Sequence, residues 1–549
     1  MRRCIVARLL ACLVVCGCFA VAGPAAIPAS ATTETAAAGE IVELYPNPTT
    51  EENRGEYATV KITEPGDWTL TDGEGTVALP ADATGRFAAT RHPSETAVHT
   101  NATLLKAGGS FQLAVSGETL TLSRDGRVVD TISYEDAPES QQWRADSDPH
   151  WQPAGFEPRT PTTVHNASVR SFVLPDSPAA PIAAIDDADD RLYLAAYTLT
   201  DERVADALLA AHKRGSDVGV LVEGGLVGGM SERQARVLDD LAAAGIDVRV
   251  MTGDAARFRY HHAKYAVADD RAVVLTENWK PSGTGGADNR GWGVTVADQR
   301  VAADLAAVFE HDTTWQDTPK WTAVRDEIDT VEAGAASGSY PQHHSPLSTT
   351  AEELTILTAP GNAERELVAL IDDTDEELLV IQPAIGEQSY PLLRAAMRAA
   401  DRGVDVRILL SGAWYSEDEN EAFAATLRER AADDNVPLSV RVAGDTDRFG
   451  SIHAKGIVAD DTAVVGSLNW NNNSAENNRE LAVAIEDAAV ADYYRDVFAG
   501  DWDAGRGSGD DGFGFLPDGD LPTGFVIVGV AVISGTALLA KRWLAFAEP

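Results

Sequence analysis

The stretch HAKYAVAD, His262 to Asp269, returns as HAKGIVAD, His453 to Asp460. Both fit the pattern H-x-K-x4-D. With 11 His in the chain, one such match by chance is expected on the order of 0.01 to 0.02 times. Two matches at equivalent points of a repeat are far rarer. The surroundings repeat as well. Thr276 and Ser467 follow at the same distance from each His, then Asn278 and Asn469, each succeeded by a Trp (Trp279, Trp470). Further on, Asn289-Arg290-Gly291 answers Asn478-Arg479-Glu480.

Upstream of each motif the same correspondence holds. IDDADDRLYL from Ile185 matches IDDTDEELLV from Ile371, and HKRGSDVGVLVEGG from His212 matches ADRGVDVRILLSGA from Ala400. In both, an amphipathic helix stops at Gly215 or Gly403 and a buried apolar strand follows. The reading is two duplicated α/β units, 169–316 and 353–503, joined by a linker at 317–352, with a site on the seam between them.

The residue types at that seam point to phosphoryl chemistry. An H-x-K segment in a strand puts His and Lys on one face. One imidazole of the pair can attack phosphorus while the other protonates the departing oxygen. Lys264 and Lys455, with Thr276, Asn278, Ser467 and Asn469, can hold the nonbridging phosphate oxygens. This design needs no metal and no cofactor. Between Arg257 and Arg290 six Arg and Lys face four acids, a local positive balance suited to a small phosphate site.

On these motifs the chain resembles the phospholipase D superfamily, the enzymes with paired HKD motifs. The resemblance implies an α/β/α sandwich in each half, the two forming one active site, and a covalent phosphohistidine intermediate. It assigns His262, Lys264, Asp269, His453, Lys455 and Asp460 to the catalytic group, the two Asp in a mainly structural or orienting role. Glu480 occupies the place of an acid that reaches across the seam to the other half's imidazole. Its counterpart in the first half is Gly291, with Asp288 nearby. From that asymmetry His262 is expected as nucleophile and His453 as general acid, and the first half is open to being weakened or specialised. The substrate stays open between phospholipid, favoured modestly, and extracellular DNA or RNA. A third reading is a non-catalytic surface binding protein.

Other polar clusters carry less. His261 reads as incidental to its neighbour. His343-His344 sits in the linker without further ligands, so no metal site is expected there. Trp279 and Trp470 read as packing residues, and the acidic runs before Arg191 and Leu378 as solvated turns.

Residues 40 to 134 alternate apolar and polar positions in short runs broken by turn residues, which predicts an all-β sandwich. The domain is assigned to 38–160. It resembles a lamin-tail-type domain through Ile41 to Pro48, WTLTDG from Trp68, and LSRDG from Leu122 leading into Val129-Asp130. That resemblance implies a binding or spacing module without catalytic residues.

The ends of the chain read as export and anchoring signals. Arg2, Arg3 and Arg8 precede an apolar run from Leu9 to Ala22, and Ala29-Ser30-Ala31 offers a cleavage site, so 1–31 is expected to be a signal peptide. LPTGFVIVGVAVISGTALLA, Leu521 to Ala540, is uncharged and long enough for a transmembrane helix. Lys541-Arg542 would hold the tail inside, and the Gly- and Asp-rich 504–520 would be a tether. The expected location is a single-pass position in the cell membrane with the body outside; no protein partner is identifiable.

Composition limits the alternatives. The 549 residues carry 85 Asp and Glu against 44 Lys and Arg, a formal charge of −41. Spread along the chain, this acidity resembles that of proteins from high-salt organisms, and it opposes any broad basic face for nucleic acid. All four Cys lie between Cys4 and Cys18. A processed chain would therefore have no disulfide, thiolate metal site or cysteine nucleophile.

Overall fold

The computed structural model describes residues 38–505, apart from 49–52, 98, 148–149, 254–255 and 335. The expected signal peptide 1–31, the expected tether from residue 506 on and the apolar segment 521–540 lie outside these residues; Ala504, expected to open the tether, ends helix Ala488–Ala504 instead. Among the described residues no helix is long and apolar enough to cross a membrane.

The N-terminal region is β-rich, as its alternation predicts. Strands Gly39–Tyr45, Tyr57–Ile62, Gly85–Thr90 and Thr103–Lys106, with Gln141–Arg144 and Trp151–Pro153, form one sheet. Trp68–Thr71, Thr76–Ala78, Glu118–Arg124 and Arg127–Tyr134 form a second. Inward residues of both, among them Leu44, Val60, Trp68, Leu70, Leu120 and Leu122, share one buried core. The domain leans on the first half through Phe156, edge-on to Phe258 at 6.0 Å, and through His99, 6.4 Å from the Trp315 ring.

The rest of the described chain is built on one continuous sheet. In the first half three parallel strands, Arg191–Ala196, Asp217–Glu223 and Asp247–Met251, run into the antiparallel set Tyr265–Ala268, Arg271–Leu275 and Asn289–Ala297. The second half repeats this with Glu377–Gln382, Asp405–Ser411 and Leu438–Ala443, then Gly456–Ala459, Thr462–Gly466 and Glu480–Glu486. Two long central strands, Thr162–Leu174 and Leu347–Ala359, pair antiparallel and weld the halves together.

Helices cover both faces and make the three layers expected of each half. Helix Glu202–Arg214 begins at Asp201, whose side chain accepts the Arg203 N–H, and ends on Gly215 at φ 102°, a left-handed cap that glycine adopts without strain. Val204, Leu208 and Ala211 line its buried face at helical spacing. Helices Gln299–Thr313 and Ala488–Ala504 cover the opposite face, where Leu305, Phe309, Tyr494 and Phe498 join a core that spans both halves.

The boundaries of the halves shift from their expected positions. The first begins at Thr162 rather than 169, and the second at Leu347, inside the expected linker. Asn166, at φ 57°, interrupts the alternation and drops out of the pairing between His165↔Glu353 and Ala167↔Ala351. That break hides the strand from a period-two reading.

Candidate active site

The two motifs are brought together by backbone pairing across the seam. Ser451–Ile452 runs parallel to Asn289–Arg290, and His261 forms the equivalent bridge to Arg479. The His262 N–H donates to the Arg479 carbonyl at 2.9 Å, and the His453 N–H to the Arg290 carbonyl at 3.0 Å. Each motif is therefore seated on the other half. The expectation that His and Lys lie within a strand is corrected accordingly. The strands start one residue later, at Tyr265 and Gly456, because the run-in pairs across the seam instead.

Crossed ion pairs lock this arrangement. Arg479 of the second half donates to Asp312 of the first through Nε at 2.8 Å and through a second nitrogen at 2.5 Å. Arg290 of the first half donates to Asp501 of the second at 3.0 Å and to Asp176 at 2.6 Å. All five side chains are buried. Burial would raise the Asp312 carboxyl, but the Arg479 charge, His261 at 3.5 Å and hydrogen bonds from His311 and Arg479 outweigh it and hold the group well below the ordinary carboxylate range.

His262 rests on Glu480. Its Nδ1 lies 2.9 Å from each carboxylate oxygen. Ser467 Oγ donates to the same carboxylate, and Asn478 Nδ2 donates at 3.2 Å. Burial pushes the Glu480 carboxyl up, yet the His262 charge and hydrogen bond, then Lys264 and Ser467, bring it below its usual value. An ionised carboxylate at Nδ1 places the proton there and leaves the Nε2 lone pair available. Tyr197 stands edge-on to this imidazole at 5.1 Å, and Lys264 Nζ lies 5.4 Å from the same tyrosine ring.

His453 has a carboxylate too. Glu277 Oε2 lies 3.3 Å from His453 Nδ1 and accepts the Asn289 side-chain N–H at 2.9 Å. Lys455 Nζ is 3.2 Å from the same Nδ1. Burial raises the Glu277 carboxyl, and His453, Lys455 and Asn289 together lower it below the ordinary range. Each lysine also donates to the carbonyl of its own motif His, Lys264 at 2.6 Å and Lys455 at 2.8 Å.

The remaining expected residues divide. Asp269 and Asp460 stand at the far end of the strands that begin beside the two lysines. Asp269 accepts the backbone N–H groups of Asp189, Asp190 and Arg191, and Asp460 those of Asp375, Glu376 and Glu377. They tie turns, outside the pocket. Thr276 and Ser467 are fully buried. Thr276 Oγ1 accepts the Trp292 N–H at 2.9 Å, and Ser467 Oγ accepts the Leu481 N–H at 3.1 Å. Their hydroxyls are thus committed to the framework, not aimed at a phosphate. Asn278 is buried and Asn469 half-buried beside the motifs. Trp279 and Trp470 are buried packing residues, Trp279 donating to the Ala195 carbonyl at 3.2 Å.

Sequence reasoning missed Glu277, both crossed arginine pairs and Glu223. Glu223 is wholly buried and accepts the His261 N–H at 2.6 Å. Desolvation raises its carboxyl to about 7, against the lowering pull of backbone N–H groups and His262. The substitution of Glu277 for Leu468 at equivalent positions was the visible signal for the first of these.

A cavity of about 910 Å³ opens over His453, lined by Tyr197, Lys280 and Asn289 of the first half and Trp414 and Tyr415 of the second. Trp414 is 89% exposed. Besides His453, the lining carries Arg233 and Lys280 against the acids Asp288, Glu332, Glu417 and Asp445, a poor track for a polyanion.

A family model described as "Cardiolipin synthase, PLD-like domain" matches residues 182–313 and 367–502; the N-terminal domain lies outside the match. No curated protein matches the sequence. Among solved structures, phosphatidylserine synthase from Haemophilus influenzae Rd KW20 is 14% identical with a TM-score of 0.46, over 60% of this chain and 84% of that one. Polyphosphate kinase from Porphyromonas gingivalis is 14% identical with a TM-score of 0.39, over 60% and 50%. Nuc from Salmonella typhimurium, a phospholipase D family member, is 20% identical with a TM-score of 0.24, over 29% and 98%.

Proposed function

The two halves of the body belong to the phospholipase D superfamily, and from that premise we propose that the chain cleaves phospholipid phosphodiesters through a phosphohistidine on His262. The observation that carries this reading is the crossed pairing of imidazole and carboxylate: Glu480 on His262 and Glu277 on His453, each reaching over the seam. His262 Nε2 attacks phosphorus, and the bond from phosphorus to the leaving alcohol breaks. The leaving oxygen takes the proton from His453 Nε2. Water then attacks phosphorus and gives its proton to His453. The phosphorus–nitrogen bond breaks, and its electron pair returns to His262. Lys264 and Lys455 offset the charge that builds on the nonbridging oxygens.

His262 is favoured as nucleophile because its carboxylate contact is the tighter, at 2.9 Å against 3.3 Å, and because Lys455 competes for the Nδ1 of His453. Phospholipid is favoured over nucleic acid by the acidic lining of the cavity and its apolar rim. Val331 and Trp414, two of the four large exposed apolar side chains among the described residues, line it. Export by the leader and anchoring through 521–540, with the body outside the cell membrane, complete the proposal.

The test is the purified chain at high salt, offered phosphatidyl lipids in vesicles and DNA in parallel, then acid-quenched, digested and mapped by mass spectrometry. The adduct is expected on His262, lost in His262→Ala, and retained in His453→Ala when the leaving group is a nitrophenolate, which needs little protonation. An adduct on His453 alone reverses the roles. Faster turnover of DNA makes the chain a nuclease, and no adduct with any substrate makes it a binding protein.

A further inference from the structure

The first half's acid has not been lost; the structure assigns it to Glu277, moved one strand over from Gly291, as the positioning residue of His453. The inference rests on the proposed phosphodiesterase reading and names the group that sets the general acid in it. The strands Arg271–Leu275 and Asn289–Ala297 are antiparallel neighbours, with Leu275 opposite Gly293. In the second half Gly466 stands opposite Ala482 in the same way. Position 277 therefore corresponds to Leu468, and position 291 to Glu480. Where the second half has an apolar side chain it needs no charge, because Glu480 supplies it. The first half has exchanged the two.

Space supports the exchange. A Cβ built on Gly291 would lie 2.1 Å from Glu277 Cγ and 2.6 Å from Glu277 Oε1, far inside any real contact. The Glu277 side chain thus fills the volume that a residue at 291 would need. Gly291 is required by Glu277, and the two are one substitution made in two places. The carboxylate arrives at Nδ1 of the opposite imidazole by the other route, with Asn289 donating to its Oε2 as Asn478 does to Glu480 Oε1. Glu277 is wholly buried, so its charge acts on His453 without water to screen it. The carboxylate offsets the Lys455 ammonium, which faces the same Nδ1 at 3.2 Å, and holds the ring with its Nε2 turned from the carboxylate, the nitrogen from which a general acid donates.

Two measurements test this on the full chain. In ¹⁵N-histidine NMR, Glu277→Gln should move the Nδ1 signal of His453 and leave that of His262 in place, whereas Glu480→Gln should do the reverse. Turnover of an alkyl phosphodiester by Glu277→Gln should fall about 10- to 100-fold and the alkaline limb of its pH profile should move. Cleavage of a nitrophenyl ester should fall far less. The reciprocal double variant Glu277→Leu/Gly291→Glu should recover the His453 Nδ1 signal and most of the turnover, while Gly291→Glu alone should fail to fold normally. An unmoved His453 Nδ1 signal in Glu277→Gln, or a double variant no better than Glu277→Leu, overturns the relocation. The spectrum needs no catalysis, so a wild-type chain without any histidine adduct would refute the phosphodiesterase reading separately.

Discussion

Replacing Asp312 by Asn tests whether the seam, more than either half, holds the site together. Asp312 sits near the end of helix Gln299–Thr313 and its side chain is ion-paired with Arg479 of the other half, both wholly buried. Asparagine keeps the shape but removes the charge, leaving a guanidinium in a dry interior. Breaking one partner of such a pair costs about 3–5 kcal/mol. Removing both charges should cost less. Arg479 lies 4.5 Å over the Phe258 ring, so Asp312→Leu/Arg479→Met retains apolar packing there while burying no ion. Urea unfolding followed by tryptophan fluorescence, at constant m-value, measures both variants. Acid provides an independent check. The native Asp312 carboxyl is held well below its ordinary value, so as pH falls below about 4 the unfolded chain takes up the proton first. The stability this group contributes is present above that range and is lost on acidification. Asp312→Asn should remove that part of the acid slope. A single variant within about 1 kcal/mol of wild type, or a double variant less stable than the single, would refute the reasoning.

Two further outcomes follow from the buried acids and from the donor set. Glu223, raised to about 7 by desolvation, is neutral in the fold while the unfolded chain ionises, so its contribution is present below about pH 4.5 and lost as pH rises to about 7, a loss of about 3 kcal/mol. Glu223→Gln should shrink the stability difference between pH 5 and pH 8, and an unchanged difference measured by denaturant titration counts against the assignment. Hydrolysis of an activated phosphodiester should survive EDTA, because two imidazoles and two ammonium groups supply nucleophile, acid and charge; abolition by chelator with recovery on a divalent ion alone would contradict the mechanism.

The fold of the two halves was legible because the information is local and repeated. Gly215 and Gly403 stop equivalent helices, and the same spacing from His to Asn occurs twice. The β-rich N-terminal region was legible for the same reason: its alternation is a nearest-neighbour signal. The long strand Thr162–Leu174 was obscured at Asn166, where a left-handed residue breaks the period. At the site, His262, Lys264, His453 and Lys455 could be named from the motif, and Glu480 from its place after Asn478-Arg479. Glu277 could not be named by position, because the motif expects its acid on the neighbouring strand. Nothing in a linear pattern says that two positions 14 residues apart compete for one volume. The arginine pairs were hidden for another reason. Asp312 and Arg479 are separated by 167 residues, and only the crossing of the halves puts them together.

That crossing explains why a duplicated unit can diverge locally without losing the shared site. Each half takes from the other a carboxylate for its imidazole, a counter-ion for its buried arginine and a carbonyl for its motif N–H. A change in one half is therefore felt at the catalytic group of the other. Such a layout penalises the loss of the acid at Gly291 heavily, since His453 would be left with Lys455 as its nearest charge. It is indifferent, however, to which of two adjacent strands delivers the carboxylate, because both reach the same pocket over the same seam. The first half keeps a charged group in that pocket and discards only its expected position. The pairing of Glu277 with Gly291 keeps the geometry of the seam while changing the residue at a given place.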